Sequence, residues 1–151
     1  MTSTDKKRAW FFQANPKKYN IQGALSKYKV MTWEVTRYFK QIDEDSFIKK
    51  GDIALIWVSG SKAGIYATAE VIEDPRERAI YPDAQYCHIK PKEFARRALL
   101  EIKPERQNPI SREELIARGI TLPPISEFYQ ATNFVIDKET WEIIKVILAN
   151  R

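Results

Sequence analysis

The clearest structural signal in the sequence is a pair of strand-like segments joined by a turn. Residues 53–58 form an uninterrupted apolar run, and residues 65–72 alternate apolar side chains with others. Residues 59–64 lie between them and contain two glycines and two serines, which favour tight turns. The pattern therefore predicts a β-hairpin with a buried first strand and a half-buried returning strand.

Further strands are predicted elsewhere in the chain. Residues 9–14 form a short run of apolar and aromatic side chains that Asn15 and Pro16 bring to an end. Shorter extended segments are predicted at 29–33, 85–89 and 98–102.

Three short helices accompany these strands. The first is predicted over residues 19–27, and the second begins at a capping box formed by Ser111 and Glu114. Asp137 is the predicted N-cap of the last helix, in which apolar side chains recur on one face. Several strands with a few short helices predict an α+β fold built on a sheet or barrel, rather than alternating βαβ units.

Length and composition predict one domain. The chain has 151 residues, of which 44% are hydrophobic and 30% charged, as in ordinary globular proteins. We expect residues 1–8 to form a disordered basic tail and residues 9–151 to form a single domain. There is no run of 18 apolar residues, no secretory signal and only one cysteine, so we expect a cytoplasmic protein without a membrane span.

The charge balance favours an anionic partner. The formal net charge is +5 and the pI is about 9.3, with lysines and arginines in small groups. Such a balance suits nucleic acid, although a solvated basic surface explains it equally well.

Signals for catalysis and for metal binding are weak. Cys87 and His88 are adjacent in a predicted strand, so their side chains would point to opposite faces. Zinc needs more such ligands than the sequence contains, and the acidic triplet at 43–45 is typical of a solvated turn. Residues 59–64 differ from a phosphate-binding loop because a strand follows Gly64, not a helix. We therefore predict no catalytic residue, no metal and no cofactor.

The tryptophans differ in their surroundings. Trp10 and Trp141 lie in apolar patterns and are predicted to be core residues. Trp33 lies between Thr32 and Glu34, and a core position is less expected in such a polar stretch. We therefore expect the Trp33 indole to face solvent, and aromatic side chains of this kind can stack on bases.

Five blocks of sequence occur in an order and spacing that resemble the EVE domain family. They are residues 10–16 (WFFQANP), 32–38 (TWEVTRY), 51–60 (GDIALIWVSG), 63–71 (AGIYATAEV) and 131–134 (ATNF). This family belongs to the PUA-like superfamily and is similar to YTH domains, which hold a methylated adenine in an aromatic cage. The resemblance implies a PUA-like twisted mixed β-sheet or open barrel flanked by short helices, and binding of modified bases in DNA or RNA.

The resemblance also implies the residues of a base pocket. Trp33 matches a cage tryptophan, Asn15 matches a polar residue beside the base, and Trp57 and Tyr129 are candidates for the remaining walls. The other expected pocket residues are Ser59, Gly60, Gln130, Thr132 and Asn133. The basic residues expected to contact phosphates are Lys17, Lys18, Arg37 and Lys62.

The leading hypothesis is a non-catalytic module that reads one flipped-out, methylated base. Removing a base from the stack costs a few kcal/mol, and stacking in a pocket returns roughly 1–3 kcal/mol. One alternative is an RNA-binding PUA-like domain acting in RNA modification or processing. Others are a pocket for a free nucleoside and a nuclease-associated domain. Some family members are fused to nuclease or NTPase parts of restriction systems, so the resemblance implies such subunits as candidate partners.

Overall fold

The computed structural model of the protein describes residues 8–17, 19–35, 48–79, 94–103, 109–122 and 132–150. Within these ranges the elements follow in the order β1 (Ala9–Ala14), α1 (Ile21–Lys27), β2 (Val30–Glu34), β3 (Ile53–Val58), β4 (Gly64–Ala79), β5 (Phe94–Ile102), β6 (Ile110–Ser111), α2 (Arg112–Ala117), β7 (Thr132–Ile136) and α3 (Lys138–Ala149). None of the described helices is long and apolar enough to cross a membrane.

The strands of the described ranges form one mixed sheet. Its order is β2-β5-β4-β3-β1-β7, and β6 pairs with β4 outside this path. β1 and β3 are parallel, whereas the other paired strands are antiparallel. A mixed sheet accompanied by short helices confirms the predicted α+β class.

Alternation along the strands divides the apolar residues between two cores. Trp10 and Phe12 of β1 pack with α1 residues in a core that we call the α1-side core. Ala9 and Phe11 point to the other face and pack with residues of α2 and α3 in the α3-side core. This division follows from the two-residue period of a strand, since successive side chains point to opposite faces.

Several sequence predictions hold at the level of single residues. The strands at 9–14 and 53–58 have the predicted bounds. The Ser111 hydroxyl accepts a hydrogen bond from the Glu114 amide at 3.1 Å, and the Asp137 carboxylate accepts one from the Thr140 amide at 2.8 Å. These two hydrogen bonds confirm both predicted N-caps. The caps were predictable because a capping side chain bonds to an amide only three residues further along the chain.

Other predictions differ from the structure. β4 continues to Ala79, past the predicted end at residue 72, because β5 pairs along it with two register shifts that accommodate the segment around Pro75. The strand β7 was not predicted. The Arg8 carbonyl, which the sequence places in the tail, accepts a hydrogen bond from the Ile53 amide at 2.8 Å. The strand predicted at 85–89 lies outside the described residues.

Candidate functional site

The parallel pairing of β1 with β3 brings two turns together. Ala14 is paired with Val58, so both strands end at the same edge of the sheet. The Ser59 amide and hydroxyl both donate to the Ala14 carbonyl oxygen, at 3.0 and 3.3 Å. The sequence-predicted residues Asn15 and Ser59, which are 44 positions apart, therefore lie at one edge.

These two turns lie beside each other. Gly60 has a φ of +109°, which favours glycine, and a Cβ at this position would lie 3.6 Å from the Pro16 Cγ. The Asn15 side chain accepts a hydrogen bond from the Lys17 amide at 3.0 Å, which closes the first turn. Lys17 and Lys62 are both exposed, and they lie on these neighbouring turns.

A pocket of about 300 Å³ opens beside the two turns. This volume is at the lower end of the range of roughly 300–1,000 Å³ for small-ligand sites, so it suits a single small group. Its apolar lining is Pro16, Ile21 and Val58, of which the last two are buried. Its polar lining is Asn20, Gln22, Ser59, Ser61, Lys62 and Tyr66.

Tyr66 supplies an aromatic ring to this pocket. Its hydroxyl donates to the Lys62 carbonyl oxygen at 2.6 Å, which ties β4 to the preceding loop. Partial burial raises the pKa of Tyr66 above its usual value of 10.0, so the phenol is neutral at pH 7. Tyr66 was not among the residues predicted for the pocket. Its position two residues after Gly64, at the start of the strand that follows the loop, could have indicated an aromatic side chain near the pocket.

Trp33 is a core residue, so the expectation that its indole faces solvent is wrong. The side chain is 0% exposed and belongs to the α1-side core. Its ring centroid lies 6.1 Å from those of Phe12 and Tyr19. The reason is the alternation along β2, which points Met31, Trp33 and Val35 to the same core despite their polar neighbours.

The Trp33 indole also contains a buried donor without an acceptor. Its Nε1 atom forms no hydrogen bond in the part of the chain that the structure describes. An unpaired buried N–H costs roughly 1–3 kcal/mol.

Trp57 does not line the pocket found at this edge. It is 3% exposed and packs in the α3-side core, with its ring centroid 5.8 Å from that of Phe11. Its neighbour Val58, which lines the pocket, points to the opposite face. Because Trp33 and Trp57 lie in cores on opposite faces of the sheet, the structure does not bring them together as two walls of one cage.

The remaining predicted site residues lie partly in β7. Thr132 is paired with Gln13 and Asn133 with Phe12, which places both near the end of β1 that leads into the pocket. The Asn133 side chain is 3% exposed, so it is buried and not displayed on a rim. The predicted residues Lys18, Arg37, Tyr129 and Gln130 lie outside the described residues.

Asp52 lies at the opposite end of β3 from the pocket. Its carboxylate is 2% exposed and accepts hydrogen bonds from the Trp10 indole at 2.8 Å and the Lys49 amide at 3.1 Å. Burial raises the pKa of Asp52 above its usual value of 3.8, although these hydrogen bonds oppose the shift. Within the described ranges no group of three or more His, Cys, Asp or Glu residues is placed to hold a metal. Cys87, His88 and residues 43–45 lie outside these ranges.

Solved structures with the same fold cover almost the whole chain. Human THYN1 protein, in complex with 5-methylcytosine-containing DNA, has 14% sequence identity and a TM-score of 0.56, with 93% of this chain and 97% of that chain covered. A Leishmania major protein has 18% identity and a TM-score of 0.59, with 95% of each chain covered. A mutant of the ZmASCH protein from Zymomonas mobilis has 13% identity and a TM-score of 0.53, with 93% and 99% covered.

These likenesses confirm the expected PUA-like fold. Among curated proteins the comparison found no match. The profile of the EVE domain matches residues 8–146, which include every element from β1 to most of α3. The chain is therefore a member of the EVE domain family.

Proposed function

We propose that this protein binds nucleic acid without catalysing a reaction and holds one flipped-out base in the pocket between the ends of β1 and β3. The observation that carries the proposal is the pocket itself, which combines a small volume, the Tyr66 ring and Lys62. The human structure of the same fold is a complex with DNA that contains 5-methylcytosine, which supports this class of ligand.

The lining suits a base on physical grounds. Ile21 and Val58 provide an apolar floor, and the Tyr66 ring provides a stacking surface worth roughly 1–3 kcal/mol. The Asn20 side-chain amide can donate to the edge of a base and the Ser59 hydroxyl oxygen can accept from it, which is the kind of role that the family resemblance implies for Asn15. Such interactions would offset the few kcal/mol that base flipping costs.

Trp33 enters this proposal in a different role from that expected. It lies in the same core as Ile21 and Val58, so it supports the floor of the pocket from within the protein. The predicted contributions of Gly60, Thr132, Tyr129 and Gln130 remain part of the proposal, whereas the buried Asn133 side chain is not part of it.

Discrimination of a modified base needs more than the methyl group. Burial of one methyl group is worth roughly 0.8 kcal/mol, which is less than a factor of ten in affinity. A hydrogen bond that the wrong base leaves unmade gives larger selectivity. We therefore propose that polar groups of the pocket, together with the methyl contact, select the modified base.

Binding is best measured with matched oligonucleotides that differ only in one base. Fluorescence anisotropy with 5-methylcytosine and unmodified DNA, and with the corresponding RNAs, distinguishes the DNA reader from the RNA-binding alternative. An oligonucleotide with 2-aminopurine at the same position reports flipping, because its fluorescence rises when the base leaves the stack. We expect affinity for at least one polymer to fall with salt, with a log–log slope of roughly −2 to −4 for three to five phosphate contacts on a single strand.

Variants at the pocket give this experiment its controls. Tyr66→Leu removes the aromatic face and should weaken binding about five- to 150-fold, whereas Tyr66→Phe keeps the ring and should weaken it less. Lys17→Glu combined with Lys62→Glu should reduce the magnitude of the log–log slope by about 1.4, which corresponds to two phosphate contacts. Lys138→Glu reverses one such charge at the start of α3, at the opposite end of β1, and should leave binding unchanged. Salt-independent binding, or equal affinities for the wild type, Tyr66→Leu and Lys17→Glu/Lys62→Glu, would overturn the proposal.

The proposal also predicts no turnover by the purified protein. Nucleic acids incubated with magnesium, manganese or zinc should remain intact by gel electrophoresis. Partner nuclease or NTPase subunits, as the family resemblance implies, would then supply any chemistry. Cleavage that the wild type performs and the Lys17→Glu/Lys62→Glu variant does not would show that this chain is itself an enzyme.

A further inference from the structure

The loop between β3 and β4, which we call the 59–63 loop, presents hydrogen-bond donors and a positive charge to the pocket. Ser59, Ser61 and Lys62 of this loop line the pocket, and no carboxylate is among its described lining residues. In the described part of the chain the Lys62 ammonium forms no ion pair. This side of the pocket therefore matches an anion better than a neutral ligand.

The backbone of the loop adds further donors. The amides of Gly60, Ser61 and Lys62 donate to no acceptor within the described ranges. Successive amides without a protein acceptor, beside a glycine with positive φ, are a feature of backbone turns that bind anions.

The loop is also fixed at both ends. The Ser59 amide is bonded to the Ala14 carbonyl oxygen at 3.0 Å, and the Lys62 carbonyl oxygen accepts from the Tyr66 hydroxyl at 2.6 Å. A donor set that is already held in place loses less conformational freedom when it binds a ligand.

From these features we infer that the 59–63 loop is a phosphate site, and that the unit recognised by the pocket is a nucleotide rather than a base alone. The phosphate oxygens accept hydrogen bonds from the loop amides and from Lys62, and the base lies against Tyr66. This assignment of the ligand rests on the proposed function, but the phosphate site itself can be tested with inorganic phosphate.

The first test is an NMR titration of the whole protein with sodium phosphate. We expect the amide resonances of Gly60, Ser61 and Lys62 to shift in a saturable manner, with no saturable shift in sodium chloride at the same ionic strength. Equal shifts in both salts, or shifts spread over the surface, would overturn the phosphate site.

Variants separate the contribution of the loop from general charge. Lys62→Gln should weaken phosphate binding about tenfold, which is the order expected for a hydrogen bond to a charged group, and Lys138→Gln should not change it. Gly60→Ala places a side chain at a φ that favours glycine, so it should distort the loop and reduce phosphate binding while the fold is retained. Unchanged binding by both Lys62→Gln and Gly60→Ala would contradict the assignment.

Comparison of ligands distinguishes this inference from the proposed function. A nucleoside monophosphate should bind at least about tenfold more tightly than the nucleoside, and Lys62→Gln should remove most of the difference. If oligonucleotides bind but phosphate does not reach the loop, the inference is wrong and the proposed function stands. If phosphate saturates the loop but no oligonucleotide binds, the proposed function is wrong and the loop is a site for a small anion.

Discussion

Replacing Trp33 tests whether this residue belongs to the core. The indole is fully buried, and its ring lies 6.1 Å from the rings of Phe12 and Tyr19. Truncation of a buried tryptophan to alanine costs about 3–5 kcal/mol, because the apolar surface is lost and a cavity remains. A domain of this size is commonly stable by about 5–15 kcal/mol, so Trp33→Ala should lose a large part of its free energy of unfolding.

Trp33→Phe refines the same prediction. Phenylalanine keeps an aromatic ring against Phe12 and Tyr19 and removes the indole N–H, which has no acceptor within the described ranges. The loss of an unpaired donor, worth roughly 1–3 kcal/mol, offsets part of the lost volume. We therefore expect Trp33→Phe to cost less than about 2 kcal/mol, well below the cost of Trp33→Ala.

Urea unfolding followed by circular dichroism measures both effects. Trp141→Ala is a useful comparison because Trp141 is only partly buried, at the edge of the α3-side core, and its loss should cost less than that of Trp33. If Trp33→Ala unfolds at the same urea concentration as the wild type, the buried position is wrong. An exposed indole in a binding pocket would then be the better interpretation.

Three further predictions concern stability. Gly64→Ala should lower the free energy of unfolding by at least about 1–3 kcal/mol, as measured by urea unfolding. The new Cβ would collide with the Ile110 carbonyl oxygen, and this oxygen cannot move aside freely because it belongs to the backbone. Ser111→Ala should cost about 1 kcal/mol in the same assay through loss of the α2 N-cap, and no measurable loss would contradict that role. Asp52 has a folded-state pKa above 3.8, so its protonated form favours folding. The contribution of protonated Asp52 to the free energy of unfolding should be complete below pH 3.8 and should decrease as the pH rises through the folded-state pKa. Urea unfolding measured over this pH range should show the decrease in the wild type, and Asp52→Asn should remove it.

Local chemistry explains which elements were predictable. The strand at 53–58 is apolar throughout, and the caps at Ser111 and Asp137 depend on residues within three positions. β7 contains Thr132 and Asn133 among its five residues, and it is a strand because it pairs with β1. Such a pairing depends on distant sequence, so no local pattern reveals it.

Trp33 was predictable from local chemistry, and its polar neighbours were misleading. In a strand Thr32 and Glu34 point to the opposite face from Trp33, so their polarity does not report on the surroundings of the indole. Met31, Trp33 and Val35 alternate with them, and this two-residue period predicts that the three share one core, as they do. Thr32 is 0% exposed and Glu34 is 8% exposed, and the burial of this second face is a tertiary property that the local pattern does not reveal.

The parallel pairing of β1 with β3 determines where ligands can bind. If these neighbours were antiparallel, the turns that follow Ala14 and Val58 would lie at opposite edges of the sheet, and no pocket would form between them. Because the strands are parallel, both turns leave at one edge, as at the ligand sites of other sheets with parallel strands. Gln22 of α1 and Tyr66 of β4, which are 44 positions apart in sequence, then line one pocket, and its polar chemistry comes from these residues and from the turn that follows Val58. Changes in these turns could therefore alter the ligand while the fold remains the same.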